Sequence, residues 1–323
     1  MISFIAQRIA KAIVVLLALV VLNFFLIRLA PGDPALVMAG EAGAGDQIFL
    51  AQLREKFGLD QPLPVQLFLY VKGILSLDLG FSFRQQMPVA TLILQRLPAT
   101  LLLTGTAFAI SLAFGIVFGA LAARFAGTWA DTAITVLALV FYATPLFWVA
   151  LMAILLFSVT MDWLPSFGYE TVGANYTGLT HVLDVAAHLV LPATTIGLFF
   201  MATYARMTRA SMLEVNRLDF VKTARAKGLS DTVIQRRHVL RNALLPVVTL
   251  AGLQAGTLVG GAVLTETVFA WPGIGRLMYE ALLQRDYNLL LGVFVVCSAM
   301  VLAFNLITDL VYRSVDPRIE FAS

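Results

Sequence analysis

The sequence contains few charged residues, one cysteine and three histidines. Asp, Glu, Lys and Arg together make up 13% of the 323 residues, whereas 60% of the residues are hydrophobic. A charged fraction this low excludes an ordinary water-soluble domain, and the lipid bilayer must therefore surround much of the chain. The single Cys297 cannot form an intrachain disulfide, and three scattered histidines offer no metal-binding constellation.

The sequence also lacks the motifs of two energy sources. No Gly-Lys pair occurs, so the chain has no phosphate-binding P-loop and cannot itself be a P-loop ATPase. Transporters that use a proton gradient generally place Asp, Glu or His within their membrane spans. The apolar runs contain only His188, near the start of one run, and a proton-coupled carrier is therefore disfavoured. Sodium coupling is excluded less firmly, because backbone carbonyls and hydroxyls can ligate sodium.

Six uncharged apolar runs are present, and each is long enough to cross about 30 Å of hydrocarbon as a helix. The third run exceeds that thickness, and we expect an interfacial turn near Pro145. The sequence therefore predicts an all-α integral membrane protein with six transmembrane helices. The runs are approximately Ala12 to Ile27, Ala99 to Ala123, Thr132 to Met161, Val185 to Ala205, Ala243 to Thr265 and Asn288 to Thr308.

The distribution of basic residues predicts the orientation of the chain, because cytoplasmic loops retain Lys and Arg. Nine such residues lie between the fourth and fifth runs, from Arg206 to Arg241, and none lies from Asp162 to Asp184. Both termini are therefore expected in the cytoplasm, with residues near Gly45 and Gly173 outside. The net charge of +3 does not favour nucleic-acid binding, since the basic residues follow membrane-flanking loops rather than one patch.

Residues 31–98 are the candidate for a small helical segment outside the membrane. Apolar and polar residues alternate at helical spacing from Asp46 to Phe57 and from Pro64 to Leu77. Short surface helices fit this pattern, either as a platform for an external partner or as a lid over helix ends. We therefore divide the chain into a tail with the first transmembrane helix (1–30), the external segment and a five-helix core (99–323).

The loop between the fourth and fifth runs contains the patterned stretch LDFVKTARAKGLSDTVIQRRHVLRNALLP, from Leu218 to Pro246. Ala224 favours a helix, and Gly228 can adopt the positive φ that ends one. Ser230 or Asp231 can cap the next helix. We expect a short helix, a tight turn and a second basic helix outside the membrane. This segment could transmit motion to a partner, or it could be a solvated basic loop that only enforces topology.

This stretch resembles the EAA loop of membrane subunits of ATP-binding cassette importers, in the variant of the dipeptide and oligopeptide permease branch. In the general pattern, Glu-Ala-Ala is followed by a Gly four residues after its last Ala and then by a Leu-Pro pair. TARAKGL followed by RHVLRNALLP is similar to the peptide branch itself. Ala224, Gly228 and Leu240 match the general pattern, whereas Lys222, Thr223 and Arg241 replace its Glu, its first Ala and its Pro.

The resemblance extends over nearly the whole chain. Several further blocks resemble the same branch, and several blocks in the right order are specific where one alone would be weak. They are RLAPGDPA from Arg28, FGLDQPLP from Phe57, DLGFSF from Asp78, ETVFAWPGIGRL from Glu266, RDY from Arg285 and NLITDLVYRSVDPRI from Asn305.

The resemblance implies a permease subunit of a type I importer, a multi-pass protein of a bacterial inner membrane. Besides membrane lipid, its partners would be a second related permease subunit, two cytoplasmic ATPase subunits and an extracytoplasmic solute-binding protein. The chain would not be catalytic and would hold no cofactor, because ATP and Mg bind the ATPase subunits.

In such families the short helix of the loop, here within residues 206–243, docks in a groove of the ATPase. The resemblance implies that six residues form the docking region. Asp219 and Lys227 would make polar contacts, Ala224 and Leu229 would pack, Gly228 would form the turn, and Thr223 lies between them. Peptides fit the resemblance best as the solute, although nickel complexes, glutathione and other small solutes travel through close relatives. A self-contained ion-coupled carrier is the alternative from another class.

Glycines repeat every four residues in the fifth apolar run, at Gly252, Gly256 and Gly260. This spacing puts them on one helical face, where another backbone can approach closely. The stripe, with Gln254 and Thr257 beside it, either packs statically within the subunit or lies at the centre of the permease pair and slides. The run leads into an outer loop that could act as a gate, with Glu266, Trp271, Pro272 and Gly273 as its candidate residues.

Overall fold

Long apolar stretches fold into helices because a helix satisfies its own backbone N–H and C=O groups. A computed structural model of the chain describes residues 2–28, 47–56, 60–82 and 84–315, and most of these residues are helical. The described α-helices are α1 (Ile2–Arg28), α2 (Gln47–Lys56), α3 (Leu63–Leu75), α4 (Val89–Arg124), α5 (Trp129–Ala143), α6 (Leu146–Ala153), α7 (Leu179–Val215), α8 (Asp219–Ala226), α9 (Asp231–Val233), α10 (Arg241–Val268), α11 (Ile274–Leu283) and α12 (Tyr287–Val315).

Two segments continue these helices with π-helical geometry, Ile154–Thr160 after α6 and Ile234–Leu240 after α9. A short antiparallel hairpin joins β1 (Phe81–Ser82) to β2 (Met87–Pro88), with Phe81 opposite Pro88. The predicted position near Gly45 and most of the RLAPGDPA block lie outside the described residues.

Within the described residues, four helices are long and apolar enough to cross a membrane, and a fifth span exists if one bent pair counts as one. These four cover the first, second, fourth and sixth predicted runs, and the bent pair, Trp129–Ala143 with Leu146–Thr160, covers the third. The fifth predicted run lies within α10, a helix of 28 residues. A mostly helical membrane fold is therefore confirmed, whereas the number of six spans stays a prediction.

The bent pair contains the turn that the sequence predicts near Pro145. Its two helices meet at an angle of 102°. Proline has no backbone N–H and disfavours helical geometry in the residue before it, and Thr144 accordingly has an extended ψ of 134°. The break is therefore a local consequence of the Thr144–Pro145 pair.

α4 and α7 are longer than the apolar runs that predict them. They contain 36 and 37 residues, or about 55 Å at the rise of an α-helix, against about 30 Å of hydrocarbon. α4 begins at Val89 rather than near Ala99, and α7 continues past Ala205 to Val215. Hydropathy marks where a helix meets lipid, and it does not mark where the helix ends.

One compact unit comprises Met1–Thr100 and Pro272–Ala303. Its core joins the start of α4 to α11 and the start of α12, and it includes the fully buried Val89, Leu289 and Val293. The Thr100 hydroxyl accepts a hydrogen bond from the Ile274 N–H at 2.7 Å, which holds α11 against α4. The same unit contains α1 and α3, which pack through the rings of Phe24 and Tyr70 at 5.7 Å. In the connection before α12, the Ser82 hydroxyl donates to the buried carboxylate of Asp286.

A second compact unit comprises Leu101–Trp271 and Phe304–Ser323. α7 is its central helix and packs against α5, α6 and α10. A partly buried ion pair fixes α5 to α7, because Arg209 donates from Nε to Asp131 Oδ1 at 2.6 Å and from Nη2 to Oδ2 at 2.7 Å. α7 is one continuous helix, and it connects the segment before Leu179 to the loop that follows Val215.

Candidate coupling site and pathway residues

The loop after α7 folds into the helix, turn and second helix that the sequence predicts. α8 spans Asp219–Ala226, and its alanines and acidic first turn favour the helix, because a carboxylate is stabilised near a helix N-terminus. Lys222 Nζ lies 2.8 Å from Asp219 Oδ1 on the exposed side.

Gly228 ends α8 in a left-handed conformation with a φ of +74°. Its N–H donates to the Arg225 carbonyl at 2.9 Å, and the Leu229 N–H donates to the Ala224 carbonyl at 3.4 Å. This pair of bonds is the Schellman motif, in which the residue with positive φ is usually Gly. The predicted positive φ at Gly228 is confirmed, and it defines the angle at which the chain leaves α8.

The second half of the loop begins at Ser230, which occupies the N-cap position of α9. The Ser230 carbonyl accepts hydrogen bonds from the N–H groups of Val233 and Ile234, both at 3.0 Å. The π-helical segment that follows is tied to the end of α7, because Gln235 Nε2 donates to Asn216 Oδ1 at 2.9 Å. The segment Ile234–Leu240 is therefore held to the end of α7 by a hydrogen bond between side chains.

The inner face of α8 packs on this chain's own core. Val221 is fully buried and Ala224 is 5% exposed, and both join one apolar cluster. The structure therefore turns Ala224 inward, although the resemblance implies that it packs on a partner. The other buried members of the cluster are Ala123 of α4, Met212 of α7, Ile234, Val239 and Ala243.

The outer face of α8 and the turn carry the remaining predicted docking residues, Asp219, Thr223, Lys227, Gly228 and Leu229, all of which are exposed. Three large apolar side chains lie among them in solvent, since Leu218, Phe220 and Leu229 are 46%, 40% and 41% exposed. Leu218 and Phe220 were not predicted from sequence. Once Val221 and Ala224 mark the inner face, Phe220 is an apolar residue on the outer one.

Gly252, in the glycine stripe of α10, contacts α12 of the same chain. A Cβ added at Gly252 would lie 2.0 Å from Thr308 Cγ2, and the Thr308 hydroxyl donates to the Gly252 carbonyl at 3.0 Å. At this position the structure favours close packing within the subunit. Gly256 is buried and Gln254 is partly buried. Thr257 and Gly260 also lie within α10.

The predicted gate residues do not lie in one exposed loop. Glu266 belongs to the last turn of α10, because the helix continues beyond the apolar run to Val268. Its side chain is fully buried. Trp271 is also fully buried, and its backbone N–H donates to the Glu266 carbonyl at 2.8 Å. Its ring lies 5.0 Å from that of Tyr169. These two residues therefore form a packed helix end.

Pro272 and Gly273 belong to the other compact unit. Gly273 has extended backbone angles and occupies the N-cap position of α11, where its carbonyl accepts from the Leu277 N–H at 3.1 Å. The structure thus divides the four predicted gate residues between the end of α10 and the start of α11.

Comparisons with known proteins identify the family of the chain. The model of the binding-protein-dependent transport system inner membrane component matches residues 115–321, and the model of its N-terminal part matches residues 1–104. A peptide transport system permease protein of Brucella abortus strain 2308 is 40% identical over 321 residues, which cover 99% of this chain and 100% of the relative. The dipeptide transport system permease protein DppB of Escherichia coli strain K12 is 39% identical over 337 residues, covering 99% of each chain.

Solved structures share the fold at lower identity. The MetNI methionine ABC transporter, in an inward-facing conformation, has a TM-score of 0.56 at 21% identity and covers 70% of this chain and 97% of its own. An amino acid ABC transporter with histidines has a TM-score of 0.52 at 17% identity, with 70% and 94% covered. The resemblance drawn from the loop and its flanking blocks is confirmed, and the chain belongs to the family of inner membrane components of binding-protein-dependent transport systems.

Proposed function

We propose that this chain is the permease subunit of an ATP-driven importer and forms half of a translocation pathway for peptides. The observation that carries the proposal is α8 with its turn, a small rigid element with an exposed apolar and ionic outer face. The names of the relatives, which are peptide and dipeptide permeases, support peptides as the solute.

The proposed partners are two cytoplasmic ATPase subunits, a second related permease and an external solute-binding protein. ATP and Mg would bind to the ATPase subunits, and this chain would supply the docking surface. Phe220 and Leu229 would offer apolar area to a groove in the ATPase. Asp219 and Lys227 would offer charges at the edge of that contact, where interfaces are usually polar. Docking would be a binding role, with no chemistry on this chain.

The contacts of α8 give a route for motion. A partner that moves α8 pushes on Val221 and Ala224, which are packed against Met212 of α7. Since well-packed interiors transmit displacement rather than absorb it, the movement reaches α7. α7 runs without interruption to Leu179, so it would carry the displacement across the bilayer.

We propose six spans, with both termini and α8 in the cytoplasm and the segment before α7 outside. The basic residues around α8 and their absence from Asp162 to Asp184 support this orientation. α10 would be the fifth span. Residues 31–98 would form the external segment, and the described α2 and α3 fit short helices lying outside the membrane.

Reconstitution tests the proposal. Proteoliposomes that contain this chain, its permease partner and the ATPases, with the binding protein outside, are expected to take up a labelled dipeptide only when ATP is supplied inside. Vesicles with this chain alone should take up none. Uptake by the chain alone would instead indicate a self-contained carrier. Competition by glutathione or a nickel complex, measured in the same assay, would identify a different solute.

A further inference from the structure

Arg206 of α7 is an exposed arginine whose guanidinium group lies on an aromatic ring. Its Cζ atom is 5.0 Å from the centroid of the Tyr142 ring, which belongs to the last turn of α5. Arg206 is exposed, and Tyr142 is 45% exposed. Among the residues that the structure describes, no carboxylate lies within ion-pair distance of Arg206. Arg206 therefore presents a positive charge at the surface of the subunit.

The guanidinium group of Arg206 lies beside the apolar run of α7. The Tyr142 ring stacks on the ring of Phe199, with the two centroids 5.5 Å apart. Phe199 lies within the run, about 9 Å along the helix before the end of the run at Ala205. Arg206 accordingly extends towards the start of α7, which is the direction in which helical side chains usually point. Its charge is therefore placed at membrane depth.

A charge at this depth is costly when it faces hydrocarbon, and arginines at the ends of membrane helices usually extend to the lipid headgroups instead. Arg209, one turn further along α7, is already bonded to Asp131 through Nε and Nη2. Arg206 has no such carboxylate in the described part of the chain, and it extends away from the nearer end of the helix. The surface that carries Arg206 is therefore better suited to water than to lipid.

The backbone is broken beside Tyr142. α5 ends at Ala143, α6 begins at Leu146, and the two helices meet at 102°. Ala143 and Pro145 are exposed at the break. Irregular backbone at membrane depth is tolerated where it is buried in protein or lines a water-filled cavity, and broken helices often form the solute site of a transporter. The break and the charge of Arg206 thus indicate the same water-filled region at the surface of this subunit.

The chemistry of this region fits a carboxylate. A guanidinium group that stacks on an aromatic ring keeps the N–H groups at its edge available. Those donors match the two oxygens of a carboxylate, and such paired bonds are among the strongest hydrogen bonds in proteins. An unmodified peptide has a C-terminal carboxylate whatever its side chains are. A site of this kind would therefore recognise the feature that different peptides share.

We propose that Arg206, supported by the Tyr142 ring, binds the C-terminal carboxylate of a peptide in a pathway that lies between this subunit and its permease partner. This inference rests on the proposed function and names the residue of this subunit that contacts the solute. Arg209 does not take this role, because Asp131 occupies its donors.

A cysteine at the exposed break measures the charge near Tyr142. The variant is Ala143→Cys in a Cys297→Ser background, in the assembly with the permease partner and the ATPases. A negatively charged water-soluble thiol reagent should react about fivefold faster than a positively charged one of the same size. Arg206→Gln should remove this difference. Arg124→Gln is the matched control and should keep it, because Arg124 also lies over a ring, that of Phe125 at 5.8 Å, but at the end of α4.

Two results of the labelling experiment would overturn the proposal. The first is no reaction in any nucleotide state, as expected if lipid or a tight contact with the second permease covered the break. The second is an equal rate for both reagents when Arg206 is present.

Protection from labelling tests the ligand, in the same assembly without the binding protein. A dipeptide with a free carboxylate should slow the labelling of the introduced cysteine, whereas the same dipeptide with a C-terminal amide should need a concentration about tenfold higher. Arg206→Gln should abolish this preference. Equal protection by the two dipeptides would overturn the proposal. Protection by an anionic lipid and not by the dipeptide would also overturn it, and would assign Arg206 to a lipid headgroup.

Uptake gives the functional readout. In proteoliposomes with the binding protein outside, Arg206→Gln is expected to lower ATP-dependent dipeptide uptake by about tenfold, and Arg124→Gln should retain it. The apparent melting temperature should be unchanged in both variants, since both arginines are exposed. Undiminished uptake by Arg206→Gln would overturn the proposal. If the wild-type assembly took up no dipeptide, the proposed function itself would fail.

Discussion

Arg209 holds Asp131 by two parallel hydrogen bonds of 2.6 Å and 2.7 Å. The Asp131 side chain is 7% exposed, and the Gly127 N–H donates to its carboxylate as well. The Asp131 carboxylate accepts three hydrogen bonds, and its removal would leave the positive charge of the Arg209 guanidinium without a partner carboxylate. The pair therefore fixes α5 to α7 more firmly than an exposed ion pair would.

We expect Asp131→Asn to destabilise this chain, purified without ATPase subunits, by about 2 kcal/mol, since charge-assisted bonds are lost and a partly buried charge is left. The measurement is the apparent melting temperature in detergent, which should fall by several degrees. Asp219→Asn is the control, because the Asp219–Lys222 pair is exposed and such pairs contribute about 1 kcal/mol at most. Equal shifts in the two variants would contradict a larger contribution of the Asp131–Arg209 pair to stability.

The turn at Gly228 gives a prediction about coupling. A Cβ added there meets no atom within 4 Å, so the positive φ is the one obstacle that the described residues present to a side chain. Gly228→Val is expected to cost about 1 kcal/mol or more and to uncouple ATP hydrolysis from solute. Gly228→Asn, which tolerates this conformation, should retain solute-stimulated hydrolysis. Normal stimulation in the valine variant would refute the role of the turn.

Two neighbouring residues of α8 allow the effects of a substitution on folding and on docking to be measured separately. Ala224 is buried in the chain's own cluster, whereas Thr223 is exposed on the outer face. Ala224→Glu should therefore lower the yield of folded permease, because it buries a charge without a partner. Thr223→Glu should leave the yield unchanged and weaken co-purification of the ATPase. A normal yield for Ala224→Glu would place that residue on the docking face.

The local features of the site could be predicted from the sequence. The turn at Gly228 and the break at Pro145 depend on backbone preferences of one or two residues, and both are found where the sequence places them. The full lengths of the long helices could not be predicted from hydropathy, because α4 and α7 extend beyond their apolar runs.

Features that depend on distant residues could not be predicted. Arg209 and Asp131 are 78 positions apart, and no local pattern links them. The inward direction of Ala224 depends on Met212 and Ile234, which cover it only in the folded chain. The end of the apolar run at Thr265 predicts a loop at Glu266, but in the structure the helix continues to Val268 and the Glu266 side chain is buried.

Cysteine labelling tests the proposed orientation. Val172 is 98% exposed and lies in the segment proposed to be external, and Thr232 is an exposed residue of α9. In a Cys297→Ser background, Val172→Cys should react with a membrane-impermeant thiol reagent in whole cells, whereas Thr232→Cys should react only after permeabilisation. The opposite pattern would invert the topology.

The contact between Gly252 and Thr308 yields the last prediction. Alanine at residue 252 would place a methyl group 2.0 Å from Thr308 Cγ2, and Thr308 cannot turn away freely because its hydroxyl donates to the carbonyls of Gly252 and Phe304. Gly252→Ala should therefore cost about 1–3 kcal/mol through overpacking. Thr308→Ser removes Cγ2 and keeps the hydroxyl, so the double variant should regain much of the lost melting temperature. Gly105→Ala is the control, since an added Cβ there meets nothing within 4 Å and should be neutral or stabilising. A double variant no more stable than Gly252→Ala would contradict the assignment of the clash to Thr308 Cγ2.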